Sequence, residues 1–177
     1  MPTNILLQET KERFLREKAL ADGAMAQVSS QEFLATLDGE ANSIGVIVKH
    51  VGGNLKSRWT DFLSSDGEKA SRDRDAEFVA ETAETRESLL ETWEAGWRCL
   101  FDSLDSLSPD DLAKNVVIRG ESHSVVSALL RSLTHAAEHA GQIVLLAKHF
   151  AGPRWRTLSV PRGQSREFTA VMLKRRG

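Results

Sequence analysis

Hydrophobic residues recur every three or four positions along most of the chain, which is the spacing of amphipathic helices. The pattern predicts four long helices, over residues 3–28, 42–63, 75–104 and 124–150. Asn42 or Ser43 is the expected N-cap of the second helix, and Gly152 with Pro153 ends the fourth. Residues 64–74 are polar and carry no apolar period, which predicts a long connection between the second and third helices.

Two shorter features separate the third helix from the fourth. Residues 108–111 have the composition of a capped helical turn, and residues 116–121 predict a short extended segment. Taken together, the elements predict an all-α fold, a four-helix bundle with a long crossover between helices two and three.

The length of the chain, 177 residues, suits one domain. We expect the bundle to occupy residues 1–153 and a C-terminal tail, residues 154–177, to pack partly on it. Because the tail combines Trp155, Leu158 and Phe168 with several basic residues, it should be partly buried and should fray at residues 174–176.

Composition and charge exclude several classes of protein. Hydrophobic residues make up 41% of the chain and charged residues 27%, which is ordinary for a globular protein. The 23 basic and 25 acidic residues give a net charge of -2, so neither nucleic acid nor an anionic membrane is an expected partner. The N-terminal residues lack the basic and apolar regions of a secretory signal, and a single cysteine excludes an internal disulfide. These features predict a cytoplasmic location.

The third predicted helix carries a row of acidic residues opposite its apolar stripe, and we expect that row to be a solvated face. Its members are Glu77, Glu81, Glu84, Glu91 and Glu94. The only cysteine, Cys99, lies beside the apolar stripe and has no histidine or basic residue three or four positions away. It is therefore expected to be a packed thiol and not a nucleophile.

The histidines are the residues with the clearest chemical meaning. His135 and His139 are four residues apart in the fourth helix, which places both rings on one face, roughly 6 Å apart, as a shared metal ion requires. His50 lies about 100° from the apolar stripe of the second helix and could face the same groove. The alternative for all three, ordinary histidines at the surface or at a helix interface, stays open on spacing alone. His123 is expected in a loop or cap, and His149 near the helix C-terminus, where the dipole favours it.

The segments SIGVIVKH, residues 43–50, and HAAEHAGQI, residues 135–143, resemble the DinB-like (YfiT-type) superfamily of small metal-binding helix bundles. The similarity extends through residues 53–62 and 158–163. The resemblance implies that His50, His135 and His139 form a metal triad, that a long crossover joins the second and third helices, and that dimers are common. Some members transfer a low-molecular-weight thiol or isomerise a thiol adduct, others are hydrolases, and many have no known activity.

Two rival metal sites can be weighed on the residues. Residues 135–139 also read as H-x-x-E-H, a protease signature in which Glu138 would be the general base. We reject this interpretation for two reasons. Glu138 is expected to project away from the proposed groove, and an all-helical chain lacks the α/β scaffold of such proteases. A carboxylate-bridged di-iron site is disfavoured because no glutamate precedes a histidine by three residues.

The sequence thus favours a metal-dependent enzyme with one divalent ion, zinc, nickel, iron or copper, that acts as a Lewis acid or lowers the pKa of a bound water or thiol. Its expected partners are a small-molecule substrate, such as a low-molecular-weight thiol, and a second copy of the chain in a homodimer. Asn54 and Gln142 lie one turn from a histidine on the ligand rows, and Arg58 is a candidate anion contact; ordinary polar roles are the alternative. No catalytic residue is assigned. The competing classes are a metal-dependent hydrolase and a non-catalytic metal-binding or stress-response protein.

Overall fold

Six α-helices and one β-hairpin make up the part of the chain that the computed structural model describes, residues 5–81 and 83–174. The helices are α1 (Ile5–Met25), α2 (Ser30–Leu34), α3 (Ile44–Trp59), α4 (Arg86–Ser106), α5 (Val125–Ala151) and α6 (Ser165–Lys174). The hairpin consists of β1 (Asn115–Ile118) and β2 (Glu121–Ser124), and short 3-10 turns occupy Ala76–Phe78, Pro109–Ala113 and Gly152–Arg154. The protein is therefore mostly helical. The extended segment predicted at residues 116–121 is part of a two-stranded hairpin, and the all-α fold class did not include this small sheet.

The helix boundaries follow from local capping. Ser43 caps α3, because its Oγ accepts a hydrogen bond from Val46 N at 3.1 Å, as one of the two predicted caps would. α1, α3 and α5 lie within a few residues of the predicted helices. The short α2, whose N-cap Ser29 forms a capping box with Glu32, was not predicted.

The predicted start of the third long helix, at residue 75, was wrong. α4 begins at Arg86, because Thr85 accepts a hydrogen bond from Ser88 N and Ser88 Oγ accepts one from Thr85 N. Ala76–Phe78 instead form an isolated 3-10 turn. The connection after α3 therefore extends over residues 60–85 and is longer than the sequence pattern predicted.

The core forms where α3 packs along α4 and α1 packs along α5. Glycines allow α3 and α4 to approach closely, since a Cβ on Gly96 would overlap the backbone carbonyl of Gly52. Phe14 of α1 meets the edges of Trp59 and Trp97, with ring centroids 6.4 and 6.2 Å away. These buried aromatic rings fix the relative positions of α1, α3 and α4.

The long connection is tied to the hairpin by hydrogen bonds. The Asp66 carboxylate accepts from the backbone N–H groups of Arg119 and Gly120, both at 2.8 Å, and Gly67 N donates to Val117 O at 2.8 Å. Arg119 and Gly120 both have positive φ, 55° and 76°, as the two-residue turn of a tight hairpin requires. Asp66 thus satisfies the two amide groups that this turn leaves open.

The tail after α5 contacts the rest of the molecule near α1. Gln27 and Arg156 exchange two hydrogen bonds, of 2.6 and 3.1 Å, and the Leu158 side chain lies over Gly23. α6 has no buried residue, and Phe168 is 48% exposed on it. Of the predicted fraying segment, Lys174 ends α6, and residues 175 and 176 lie outside the described residues.

Among the described helices, none combines the length and apolar character needed to cross a membrane.

Candidate metal centre

Three histidine rings from two helices converge on one point. His50 projects from α3, and His135 and His139 project from successive turns of α5. The Nε2 atom of His135 lies 3.1 Å from Nε2 of His50 and 3.2 Å from Nε2 of His139. The structure therefore brings together the three histidines that the sequence singled out, and they could hold a metal ion.

The spacing of the three nitrogens suits a small divalent ion. Zinc–imidazole bonds are about 2.0–2.1 Å long, so two ligand nitrogens in a tetrahedral site lie about 3.4 Å apart. Candidate donor atoms of the three residues all lie within 4.8 Å of one another. Imidazole nitrogens are suitable ligands for zinc, nickel, iron and copper. The cluster therefore fits a divalent ion of this group but does not distinguish among them.

Glu77 fixes the orientation of His50. Its Oε2 atom lies 2.8 Å from His50 Nδ1, and both residues are buried, at 7% and 4% exposure. Because an ionised carboxylate only accepts, Nδ1 carries a proton, and in the neutral form of the ring the lone pair of Nε2 faces the other histidines. The same hydrogen bond and Arg72 offset the effect of burial and hold the pKa of Glu77 below its ordinary value.

Arg72 and Gly53 in turn position Glu77. Arg72 donates from Nε and Nη2 to the two oxygens of Glu77, both at 2.7 Å, in a bidentate ion pair. Gly53 leaves the space for this carboxylate, since a Cβ there would overlap Glu77 Oε1. The 3-10 turn that carries Glu77 also places the Phe78 ring 4.6 Å from the His50 ring. These contacts bury His50, which the helical phase had placed at the flank of the core.

The two histidines of α5 differ in their Nδ1 contacts. His139 Nδ1 lies 2.8 Å from Oε1 of Gln142, one of the predicted site residues. This contact orients the His139 ring. His135 Nδ1 is buried and has no hydrogen-bond partner among the described residues. Its Nε2 lies between those of the other two rings.

The protonation of these rings favours metal binding. Burial, together with the neighbouring histidines and arginines, lowers the pKa of His135 to about 3. Burial is also the largest cause that lowers the pKa of His139 below its ordinary value. Both imidazoles are therefore neutral at physiological pH, the form in which histidine binds a metal.

A cavity of about 430 Å³ opens beside the histidines. His50 and His135 line it, and so do Asn54 and Arg58, two of the predicted site residues. The remaining lining residues come from α3, α5, the long connection and the hairpin: Trp59, Phe62, Gly67, Arg74, Val116, Val117, Ile118, Arg119, Ala128, Arg131, Ser132, Thr134 and Glu138. The histidine cluster is therefore accessible to a small molecule.

The other candidate residues lie apart from the cluster. His123 is half-buried on β2, and His149 is exposed in the last turn of α5. Glu138 is exposed, as expected, but it also lines the cavity, so the expectation that it projects away from the groove was wrong. The Cys99 thiol is partly buried against the core and lies 3.4 Å from the Thr60 hydroxyl.

Sequence reasoning missed Glu77, Arg72 and Gly53. Glu77 was assigned to a solvated acidic face, which was wrong because the helix on which that assignment depended begins only at Arg86. The available signal was the pair Gly52 and Gly53 inside a helix, since adjacent glycines there indicate close approach of other groups.

Comparison with known proteins gives one finding. Residues 3–164 match the sequence model of a family described as "Protein of unknown function (DUF1572)". No curated protein and no solved structure matches the chain.

Proposed function

The chain belongs to the family described as "Protein of unknown function (DUF1572)", and we propose that it is a metal-dependent enzyme with one divalent ion held by His50, His135 and His139. The observation that carries the proposal is the convergence of three Nε2 atoms, at 3.1 and 3.2 Å, beside a cavity. Without a metal, these contacts require one ring of each pair to donate an N–H from Nε2, whereas a shared cation lets all three Nε2 atoms present their lone pairs to it.

We also propose that the fold is the DinB-like four-helix bundle, with α1, α3, α4 and α5 as its helices and residues 60–85 as its crossover. The resemblance of the two histidine segments and the packing of α3 on α4 and of α1 on α5 support this assignment. A cytoplasmic location is proposed on the single cysteine of the chain.

Among the activities that the DinB-like resemblance implies, transfer of a low-molecular-weight thiol is the one that the site supports best. A divalent ion held by His50, His135 and His139 would act as a Lewis acid that lowers the pKa of a bound thiol. The thiol sulfur would attack an electrophilic carbon, with the new C–S bond forming as the leaving group departs and the thiol proton neutralising that group. Glu77 and Gln142 keep His50 and His139 oriented with their Nε2 lone pairs toward the cluster.

The protein's own thiol is unsuited to the role of nucleophile. Cys99 contacts Thr60 and the backbone carbonyl of Lys56, and neither group activates a thiol. It is not among the residues that line the cavity in the described part of the chain. The nucleophile must therefore come from a bound molecule.

The test is to load the protein with zinc, supply a low-molecular-weight thiol and an electrophilic acceptor, and measure loss of free thiol. Wild-type protein and the Cys99→Ser control should consume thiol at similar rates, and His50→Ala should not. Equal consumption by wild type and His50→Ala would refute metal-dependent transfer. Ester hydrolysis that depends on His50 would then favour a hydrolase, and inactivity with bound metal would favour a metal-binding protein without catalysis.

A further inference from the structure

Arg58 is an incompletely satisfied buried cation beside the candidate metal centre. The residue is 8% exposed, and its Nη2 atom pairs with Glu68 Oε2 at 2.9 Å. Its Nη1 atom is buried and has no hydrogen-bond partner among the described residues. A buried charged donor without an acceptor is costly, so the free Nη1 marks a place where an acceptor is missing.

The charges around Arg58 do not supply that acceptor. The Glu68 carboxylate is shared by three guanidinium groups, because Arg72 Nη1 and Arg119 Nε bind it as well, at 3.3 and 2.9 Å. The carboxylate of nearby Asp66 is held by the hairpin turn and by Glu68 N. Both carboxylates are therefore already engaged.

The cavity that Arg58 lines is positively charged with an apolar wall. Its described lining includes four arginines, Arg58, Arg74, Arg119 and Arg131, but only one acidic residue, Glu138. The apolar part of the wall consists of Trp59, Phe62, Val116, Val117, Ile118 and Ala128. Positive charge at a wall of low polarity strengthens the attraction for an anion, because the field is poorly screened there.

We propose that this cavity recognises the carboxylate or phosphate group of an amphipathic small molecule, with Arg58 as the residue that binds the anion and the apolar wall holding the body of the ligand. Arg131, one turn before His135 on α5, adds a second positive charge at the same cavity. Recognition of the anion does not depend on the proposed metal-dependent function. Only the opposite end of the ligand, which would reach the histidine cluster, rests on that function.

The helix sets the distance between the two ends. His50, Asn54 and Arg58 follow one another on α3 at intervals of four residues and all line the cavity. The eight-residue separation of His50 and Arg58 corresponds to about 12 Å along the helix axis. A ligand with a thiol at one end and an anionic group at the other could therefore span the site when the two groups are about this far apart.

Binding of the anion can be tested without metal. Chelator-treated protein is titrated by calorimetry with octanoate, octyl phosphate and octanol, which share one apolar chain. At least one of the two anions should bind about ten-fold more tightly than octanol or better, and the tighter anion identifies the headgroup. Equal affinity of octanoate, octyl phosphate and octanol for the wild-type protein would overturn the inference, and this result depends on no variant.

Variants then assign the preference to Arg58. Arg58→Met should abolish the advantage of the anions, Arg58→Lys should retain part of it, and Arg98→Gln, which removes a charge from the exposed side of α4, should leave it unchanged. Circular dichroism establishes that each variant is folded. A preference that persists in folded Arg58→Met would show that another arginine binds the anion and would refute the assignment.

A second measurement separates this inference from the proposed metal site. Cobalt(II)-loaded protein is titrated with mercaptooctanoate and mercaptooctanol, and the thiolate-to-cobalt absorption band reports binding at the metal. The carboxylate should produce the band at about ten-fold lower concentration. A band that develops equally with both thiols contradicts the anion site and leaves the metal site intact. Absence of a band with either thiol contradicts the proposed metal chemistry, and the calorimetry with octanoate then decides the anion site by itself.

Discussion

His50 Nδ1 donates a hydrogen bond of 2.8 Å to Glu77 Oε2, and this contact joins a helix to a 3-10 turn 27 positions further along the chain. The carboxylate determines which nitrogen of His50 keeps its proton and hence which nitrogen is free for a metal. Since Arg72 binds both oxygens of Glu77, the carboxylate cannot rotate without breaking a buried ion pair.

We predict that Glu77→Gln lowers the affinity for zinc by about ten- to one-hundred-fold. The amide keeps the size of the side chain and can still accept from His50, but it loses the negative charge that supports this imidazole and pairs with Arg72. Competition with a chromophoric chelator measures the affinity. Glu91→Gln, a change on the exposed face of α4, is the matched control and should bind zinc like the wild type.

Metal content should depend on the three clustered histidines alone. We expect about one divalent ion per chain in protein purified without a histidine tag, and loss of most of it in His135→Ala or His139→Ala, because each removes one of three protein ligands. His123→Ala and His149→Ala should keep the wild-type content, as measured by elemental analysis. Unchanged metal in His135→Ala and His139→Ala would contradict the triad.

Gly53→Ala should destabilise the protein and weaken its metal site together. A Cβ at this position overlaps the Glu77 carboxylate, so the buried ion pair must shift, at a cost of about 1–3 kcal/mol in the free energy of unfolding. Gly141→Ala is the matched control, because Gly141 lies inside α5 and an added Cβ there would have open space around it. That change should stabilise the protein by about 0.5–1 kcal/mol, through lower backbone entropy of the unfolded chain. Chemical unfolding of both variants measures the difference.

The stability of the metal-free protein should fall as the pH decreases from about 6.5 toward about 3. The pKa of His135 is about 3 in the folded protein against an ordinary value of 6.5, so in this window the unfolded chain binds the extra proton. One proton corresponds to at most about 1.4 kcal/mol per pH unit, reduced here by the partial exposure of the ring. Urea unfolding with a chelator present measures the free energy of unfolding at each pH. It should depend less steeply on pH in His135→Ala than in the wild type, with the remaining dependence due to the carboxylates. An identical slope in the two proteins would contradict this explanation.

The protein should form a homodimer, as the resemblance to DinB-like proteins implies. Trp59, Trp93 and Trp97 are buried within one chain and so are not available for an interface. Phe168 and Leu173 on α6 are 48% and 65% exposed and are better candidates. Sedimentation at micromolar concentration should give a species of about twice 19.6 kDa, and Phe168→Asp should reduce it. A wild-type protein that sediments only at 19.6 kDa would refute the prediction.

The sequence predicted the parts of the site that depend on helical periodicity. His135 and His139 share a face of α5 because of their four-residue spacing, and capping and apolar patterns locate α3 and α5 within a few residues. Placement of His50 opposite them depends on how α3 packs against α5, which periodicity does not determine. For that residue the family resemblance supplied the missing information.

The supporting residues could not be predicted because irregular structure places them. Glu77 lies in a 3-10 turn whose polar sequence resembles a solvated segment, and it is buried only because Gly53 provides the space. Arg58 is charged and would be expected at the surface of α3, yet it is buried beside the connection and the hairpin. Long-range contacts of this kind leave no periodic signal in the residues themselves.

The bonds of Asp66 to the hairpin turn suggest how specificity in this scaffold can be redesigned. The part of the cavity wall formed by residues 116–119 is held through Asp66 and Gly67 and contributes none of the three candidate metal ligands. Changes in β1 can therefore alter which molecules enter while the two ligand-bearing helices keep their sequences. A library that randomises Val117, which is 43% exposed on β1, would sample new ligands at little risk to the candidate ion-binding core. Arg119 is kept, because it binds the Glu68 carboxylate that also pairs with Arg72.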